Sequence, residues 1–149
     1  MVGRVSSEST VPNSPIDEER LLSRTAELDF AITEDDQLAF ANVSGDFNPL
    51  HLDADFARAR GFSGAVVYGA MIVARISQIV GMELPGSSGI WSSLKIDFRN
   101  PLYVGETAHL FAEVIHYSEA TRSLSLKIKV TCADRAIATA NALVTLHAV

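Results

Sequence analysis

A run of ten strictly alternating residues constrains the fold of this chain more than any other feature of its sequence. In SLSLKIKVTC, residues 123–132, every second residue is apolar: Leu124, Leu126, Ile128, Val130 and Cys132. Because successive side chains of a strand point to opposite faces, this pattern predicts an antiparallel strand that is buried on one face. The buried face needs a second layer to cover it.

Four other segments carry strand patterns. AELDFAI, residues 26–32, has apolar residues at Leu28, Phe30 and Ile32 on one face. IWSSLKIDFRN, residues 90–100, is predicted to align five residues on one face: Ile90, Ser92, Leu94, Ile96 and Phe98. TAHLFAEVIHYS and AIATANALVTL flank the alternating strand and are joined to it by EATR and by a turn at residues 133–135. The C-terminal half is therefore predicted to be an antiparallel meander.

Two helices are predicted before the meander. The first covers residues 34–44, with Thr33 as N-cap, acidic residues in its first turn and Gly45 as C-cap. The second covers residues 69–80 and is apolar round much of its circumference, which is typical of a buried helix. This second helix is the obvious cover for the sheet, so the sequence predicts an α+β fold.

The segment between these helices, residues 46–63, has an irregular pattern. Pro49 would remove a backbone donor from a regular helix and clash with the preceding turn. It also favours an extended conformation at Asn48. We predict that residues 46–51 cannot form a regular helix and that residues 46–63 form a long, ordered excursion, with Phe56 and Phe62 as apolar anchors.

Length and composition fit one domain. The chain has 149 residues, of which 48% are hydrophobic and 20% charged, as in a soluble globular protein. Residues 1–20 are rich in Ser, Pro and charge and are predicted to be a flexible tail, which leaves residues 21–149 as the domain. A net charge of -6 without any basic run argues against a nucleic-acid partner.

The sequence favours a cytoplasmic protein. Its N-terminus lacks a signal-peptide pattern, and Arg75 and Gln78 interrupt the longest apolar run, so no membrane span is expected. Cys132 is the single cysteine, which excludes an internal disulfide and fits a reducing compartment. It continues the apolar face of its strand, where a thiol is inert.

Asp46 and His51 are the first candidates for chemistry. A turn could bring the carboxylate and the imidazole to one place, and such a pair sharing a water is suited to acid–base catalysis. The alternative is that Asp46 caps a turn and His51 is an ordinary surface histidine. Reference pKa values of about 3.9 and 6.5 leave open which of the two would be the base.

Gly69 and Ser77 lie on the second predicted helix. The N–H of Gly69 is among the unpaired donors of the first turn, where the helix dipole favours a developing oxyanion. Equally, the glycine could serve close backbone packing. Ser77 either bonds back to a carbonyl one turn earlier or points into a polar pocket. The remaining histidines are separated and lack metal-ligand spacing, so no metal site is predicted.

A longer stretch of the sequence resembles a known protein family and adds to these interpretations of single residues. DFNPLHLDADFARARGFSGAVVYGAM, residues 46–71, strongly resembles the hydratase motif of the MaoC-like (R)-specific enoyl-CoA hydratases. The resemblance continues into LPGSSGIWSSLKIDFRNPLYVGET and covers about residues 44–107. It implies the hot-dog fold, in which an antiparallel sheet wraps around one long helix.

The resemblance also implies roles for individual residues. In the family, the motif aspartate and histidine hold and activate the water, which here implies Asp46 and His51. The glycine that begins the central helix implies an oxyanion donor at Gly69.

Three further positions are candidate substrate-binding residues. Asn48 occupies the motif asparagine and is expected mainly to orient the loop. Ser77 aligns with a serine found near the active-site pair in some members. Tyr68 departs from the pattern, because many members have a histidine there. That histidine is not one of the water-activating pair, so the departure concerns the shape of the pocket and the substrate.

The family implies reversible addition of water to a trans-2-enoyl thioester to give an (R)-3-hydroxyacyl thioester. This hydro-lyase reaction needs no cofactor, and coenzyme A or an acyl carrier is the handle on the substrate. Hot-dog proteins pair their sheets edge to edge, so at least a homodimer is expected. Two alternatives stay open: a hot-dog acyl-CoA thioesterase and a non-catalytic acyl-thioester-binding protein.

Overall fold

Within residues 17–147, which the computed structural model describes, five antiparallel strands form one sheet. The strands are β1 (Thr25–Phe30), β2 (Gly89–Phe98), β3 (Ala108–Ser118), β4 (Ser123–Cys132) and β5 (Arg135–Leu146). Their order across the sheet is β1-β3-β4-β5-β2, so β1 and β2 are the edges. The five alternating apolar residues of β4 are all buried, which confirms the predicted strand and its buried face.

Five helices accompany the sheet in the described part of the chain. They are α1 (Glu18–Leu22), α2 (Glu34–Ser44), α3 (Pro49–Leu52), α4 (Ala54–Arg58) and α5 (Gly69–Met82). The long helix α5 covers the sheet, as predicted, and contributes Ile72, Ile76, Ile79 and Val80 to the same core cluster as β4. The α+β arrangement, with an antiparallel sheet around a long helix, is thereby confirmed.

Helix α2 begins and ends where the sequence places it. The Thr33 hydroxyl accepts the N–H of Asp36, whose carboxylate accepts the N–H of Thr33 in return. This capping box lowers the pKa of the Asp36 carboxyl through the bonds from the Thr33 backbone and side chain. Gly45 ends the helix with a φ of 76°, a left-handed conformation that favours glycine.

The prediction that residues 46–51 cannot form a regular helix is wrong, because α3 begins at Pro49, and a second short helix, α4, lies further along the excursion. Pro49 is the first residue of α3, where its missing N–H is one of those left unpaired in any helix. The segment then joins the loop after β2: the N–H of Val67 donates to the Leu102 carbonyl at 2.8 Å. The N–H of Val104 similarly donates to the Ala65 carbonyl at 3.0 Å.

The prediction that Ile90 shares one face of β2 with Leu94 and Ile96 is wrong. A register shift between Trp91 and Ser93 interrupts the pairing with β5. A bulge of this kind inverts the alternation, so Trp91 packs against the core while Ile90 is 61% exposed. Beyond the shift, Leu94 and Ile96 pack against the core as predicted.

The predicted tail, residues 1–20, lies mostly outside the described residues. Its C-terminal boundary falls inside α1, which Asp17 caps by accepting the N–H of Arg20 at 3.1 Å. None of the helices found between residues 17 and 147 has the length and apolarity needed to cross a membrane.

Candidate active site

Short backbone turns hold the loop that carries Asp46. The Asp46 N–H donates to the Ser44 hydroxyl at 3.1 Å, and the Asn48 N–H donates to Asp46 Oδ1 at 3.0 Å. Asn48 Oδ1 accepts the N–H of Leu50 at 3.0 Å and caps α3. These turns place Asp46 just before α3 and His51 on it.

One nitrogen of the His51 ring is hydrogen-bonded to the protein backbone. Nδ1 lies 2.7 Å from the carbonyl oxygen of Val66. Since a carbonyl can only accept, Nδ1 donates, and in the neutral imidazole Nε2 then carries the lone pair. The ring is thereby set to accept a proton at Nε2.

Gln37 on α2 organises the backbone around His51, although the sequence analysis did not single it out. Its side chain is 1% exposed. Nε2 donates to the carbonyls of His51 and Val66, each at 2.9 Å, and Oε1 accepts the N–H of Tyr68 at 3.2 Å. The sequence contained one indication that Gln37 is buried. It lies four residues before Ala41, and residues at this spacing share one face of a helix, which here is the buried face.

Tyr68 links the two members of the predicted pair. Its ring stacks on the His51 imidazole with centroids 4.0 Å apart and planes at 30°. Its hydroxyl donates to the backbone carbonyl of Asp46 at 2.5 Å. Burial, and secondarily the nearby Asp46 charge, raises the pKa of the Tyr68 phenol, so the hydroxyl stays a donor at neutral pH.

Gly69 begins α5 with its first-turn amides uncapped. The N-cap residue, Tyr68, forms no side-chain bond to these amides, whereas the N-caps of α2 and α3 each accept one N–H and the N-cap of α4 accepts two. The Met71 N–H donates to the Tyr68 carbonyl at 2.9 Å, so the Gly69 N–H and the positive end of the helix dipole are what this helix start offers to an anion. A Cβ on Gly69 would lie 2.7 Å from Phe98 Cζ, so a glycine permits this close approach.

A cavity of about 420 Å³ brings His51 and Gly69 together. Ile72, Phe98, Arg99 and Leu102 are among its other lining residues. Apart from His51 and Gly69, the residues predicted for the site do not line this cavity. Asp46 and Asn48 are exposed on the preceding loop, Tyr68 is buried behind His51, and Ser77 is exposed two turns along α5.

The remaining polar candidates lie elsewhere. His109 Nδ1 is 2.7 Å from Asp29 Oδ1 and its Nε2 is 3.6 Å from Glu27 Oε2, on the surface where β1 pairs with β3. Among residues 17–147, no group of three or more His, Cys, Asp or Glu side chains is arranged to hold a metal ion. Cys132 is a free, buried thiol.

Comparison with known proteins identifies the family of this chain. The family model described as MaoC like domain matches residues 14–137. The chain belongs to this family. The resemblance seen over residues 44–107 is therefore confirmed, and the match extends on both sides of it.

Several curated MaoC-like proteins are similar to the chain. The (R)-specific enoyl-CoA hydratase of Aeromonas caviae is 38% identical over 76 residues, which span 51% of this chain and 57% of that relative. The 3-hydroxybutyryl-CoA dehydratase of Methylorubrum extorquens is 29% identical over 113 residues, which span 76% of this chain and 72% of the relative.

Solved MaoC-like structures share the fold. The (R)-hydratase from A. caviae superposes with a TM-score of 0.80 at 30% identity, covering 83% of this chain and 95% of that one. The R-hydratase PhaJ1 from Pseudomonas aeruginosa gives a TM-score of 0.77 at 28% identity, covering 83% and 79% of the two chains. These matches confirm the predicted hot-dog fold.

Proposed function

We propose that this MaoC-like protein adds water to trans-2-enoyl-CoA to give (R)-3-hydroxyacyl-CoA, and catalyses the reverse dehydration. The observation that carries the proposal is that His51 and Gly69, from separate elements, line one cavity. A proton acceptor and an oxyanion donor at one cavity are what hydration of an enoyl thioester requires. Relatives named as hydratases and dehydratases of acyl-CoA support the same reaction.

His51 and Asp46 act on the water. As the water oxygen bonds to the β carbon, Nε2 of His51 takes its proton, and the β-carbon to α-carbon double bond shifts its electrons toward the thioester. Nε2 then gives this proton to the α carbon from the same side, which completes the addition of one water and restores the neutral imidazole. The Asp46 carboxylate holds the water in line with the ring.

Gly69 stabilises the charge that builds on the thioester oxygen. Its N–H lies in the uncapped first turn of α5, where the helix dipole adds to the hydrogen bond. Loss of one donor of this kind typically lowers the rate by on the order of a hundredfold to a thousandfold. The donor belongs to the backbone, so its position depends on where α5 begins.

The reaction as proposed uses no cofactor. The thioester carbonyl itself acidifies the α position, so a proton acceptor and an oxyanion donor suffice. Coenzyme A enters only as part of the substrate, and an acyl carrier could serve as the same handle, since similar relatives include a 3-hydroxyacyl-[acyl-carrier-protein] dehydratase from Arabidopsis thaliana.

We also propose that the protein is a homodimer joined through β2. The other edge, β1, has six residues and carries exposed Glu27 and Asp29, which protect an edge from pairing. By contrast, β2 has ten residues and exposes Ile90 and Phe98. A second copy of the chain pairing along β2 would cover this edge.

Two assays on the purified protein test the function. Loss of the enoyl-thioester absorbance of a short trans-2-enoyl-CoA measures hydration, and a thiol reagent measures release of free coenzyme A. We expect hydration without thiol release, with the (R) product identified by an (R)-specific dehydrogenase. Thiol release without hydration would indicate a thioesterase, and neither activity across a broad acyl panel would indicate a binding protein.

A further inference from the structure

Two buried polar side chains stand behind the reacting groups without a role in the chemistry proposed above. Gln37 is 1% exposed and Tyr68 is 2% exposed. Burying an amide or a phenol is costly unless its polar atoms are bonded. In both residues these atoms bond to the backbone that carries the site.

Gln37 fixes the carbonyl that selects the tautomer of His51. The Val66 oxygen accepts both Gln37 Nε2 at 2.9 Å and His51 Nδ1 at 2.7 Å. The second bond from Gln37 Nε2 holds the backbone carbonyl of His51 itself. One amide group therefore holds the residue that carries the imidazole and the oxygen that orients it.

Tyr68 connects this unit to Asp46. Its backbone N–H donates to Gln37 Oε1, its ring covers one face of the His51 imidazole, and its hydroxyl donates to the Asp46 carbonyl. A tilted contact with Phe40, at 4.7 Å between centroids, supports the ring from α2. Tyr68 is not among the residues that line the cavity.

We propose that Gln37 and Tyr68 are positioning residues, which hold His51 with Nε2 free for the water and hold the Asp46 backbone at a fixed place beside the same ring. The kinetic part of this inference rests on the proposed hydratase function. Tyr68 acts through His51 and Asp46, so its removal affects turnover and leaves substrate binding in place. A residue that selected the acyl group would have the opposite effect.

The kinetic test uses Tyr68→Phe, which keeps the stacked ring and removes only the hydroxyl. We expect kcat to fall by roughly tenfold to a hundredfold, because a catalytic group misplaced by about 1 Å can cost on the order of a hundredfold in rate. KM should change little, and the fall should be the same for a short and a long enoyl-CoA. An unchanged kcat, or a changed KM or chain-length preference, would overturn the role of Tyr68.

The matched control is Tyr117→Phe. Tyr117 is the other buried tyrosine, 5% exposed, and lies on β3 in the main core. Its variant loses the phenol hydroxyl of a mostly buried tyrosine outside the site, and we expect kcat and KM to match those of the unchanged protein. An equal fall in both variants would mean that removing the hydroxyl from either tyrosine has the same effect, and this would contradict a specific role for Tyr68.

A second measurement does not depend on activity. Nitrogen-15 NMR of the histidine rings at about pH 8 distinguishes the two neutral tautomers, and His51→Ala assigns the His51 signals. We expect the unchanged protein to carry its proton on Nδ1 of His51, and Gln37→Met to give a mixture of tautomers. A proton on Nε2 in the unchanged protein, or a pure Nδ1 tautomer in Gln37→Met, would overturn the role of Gln37. If the protein showed no hydration at all, the proposed function would fail while this result still decided the positioning role of Gln37.

Discussion

His51 has one nitrogen available for the water because the other is bonded to Val66. The bond from Nδ1 to the Val66 carbonyl, at 2.7 Å, orients the ring and leaves a lone pair on Nε2. Asp46 is held differently, through its backbone and one carboxylate oxygen, on a loop that is exposed to solvent. The imidazole is the fixed partner of the pair.

Removing either member of the pair should lower turnover without unfolding the protein. We expect His51→Ala and Asp46→Asn each to reduce kcat for enoyl-CoA hydration by about a hundredfold or more, the usual size of an acid–base contribution. Circular dichroism and the melting temperature should report an intact fold, because neither residue belongs to the core. Near-normal turnover in either variant would refute its role.

His116→Ala and Asp134→Asn are the matched controls for this experiment. His116 is exposed on β3, and Asp134 is exposed in the turn between β4 and β5. Each control makes the same chemical change outside the site, so we expect unchanged hydration.

At the scale of the residue, the sequence singled out the residues proposed to react, but it did not single out Gln37, which is proposed to hold them. Asp46 and His51 stood out because the resemblance gave them roles that five-residue spacing alone left open. Gln37 did not, since a glutamine on a helix is ordinarily solvated and its burial depends on two carbonyls from α3 and from residue 66. Such tertiary bonds have no local signature.

The loop at residues 99–106 forms one wall of the cavity, and an ion pair adds to the backbone bonds that hold it. The Arg135 Nη2 atom lies 2.6 Å from Glu106 Oε2, and Nη1 donates to the Pro101 carbonyl at 3.2 Å. Burial raises the pKa of the Glu106 carboxyl, but the Tyr103 N–H and the Arg135 guanidinium lower it by more. The carboxyl is therefore held below its ordinary value of 4.5.

The lowered pKa of Glu106 makes its contribution to stability depend on pH. The contribution is complete above the ordinary value of 4.5 and is lost as the pH falls through the lower value in the folded protein. We expect Glu106→Gln to lower the melting temperature at pH 7 by roughly 4 °C, since screening limits a pair about one-third exposed to about 1 kcal/mol. The difference from the unchanged protein should shrink by pH 3.

The control for this experiment is Glu119→Gln, in the exposed turn between β3 and β4. Its melting temperature should follow that of the unchanged protein at both pH values. A difference for Glu106→Gln that stayed constant or grew toward pH 3 would show that the ion pair is not its cause.

The helices and strands that have a local sequence pattern were predictable. The errors arose where strand pairing or the first position of a helix decided the structure. β4 and α2 follow from alternation and from the Thr33 and Gly45 caps. The face of β2 was not predictable in this way, because the shift between Trp91 and Ser93 is a feature of its pairing with β5 and has no local pattern in the sequence. α3 was missed because Pro49 was treated as a helix interior residue, although the first position tolerates it.

At the scale of the whole molecule, the sheet has two edge strands, and β2 is the longer of the two. α5 packs on the sheet, yet β2 pairs only with β5 among the described strands. The exposed apolar side chains of Ile90 and Phe98 lie at opposite ends of this strand. A ten-residue edge of this kind is prone to pair with another chain.

We expect the protein to behave as a dimer in solution, with Ile90 at the contact. Light scattering should give twice the chain mass of 16.1 kDa over a wide concentration range, and Ile90→Glu should shift the mass toward the monomer. A charge buried at a paired edge lacks a partner, which destabilises the association. Ile115→Glu is the matched control, because Ile115 is 49% exposed on β3, an interior strand, and its variant should stay dimeric. A monomer at every concentration, or a dimer that Ile90→Glu leaves intact, would contradict pairing through β2.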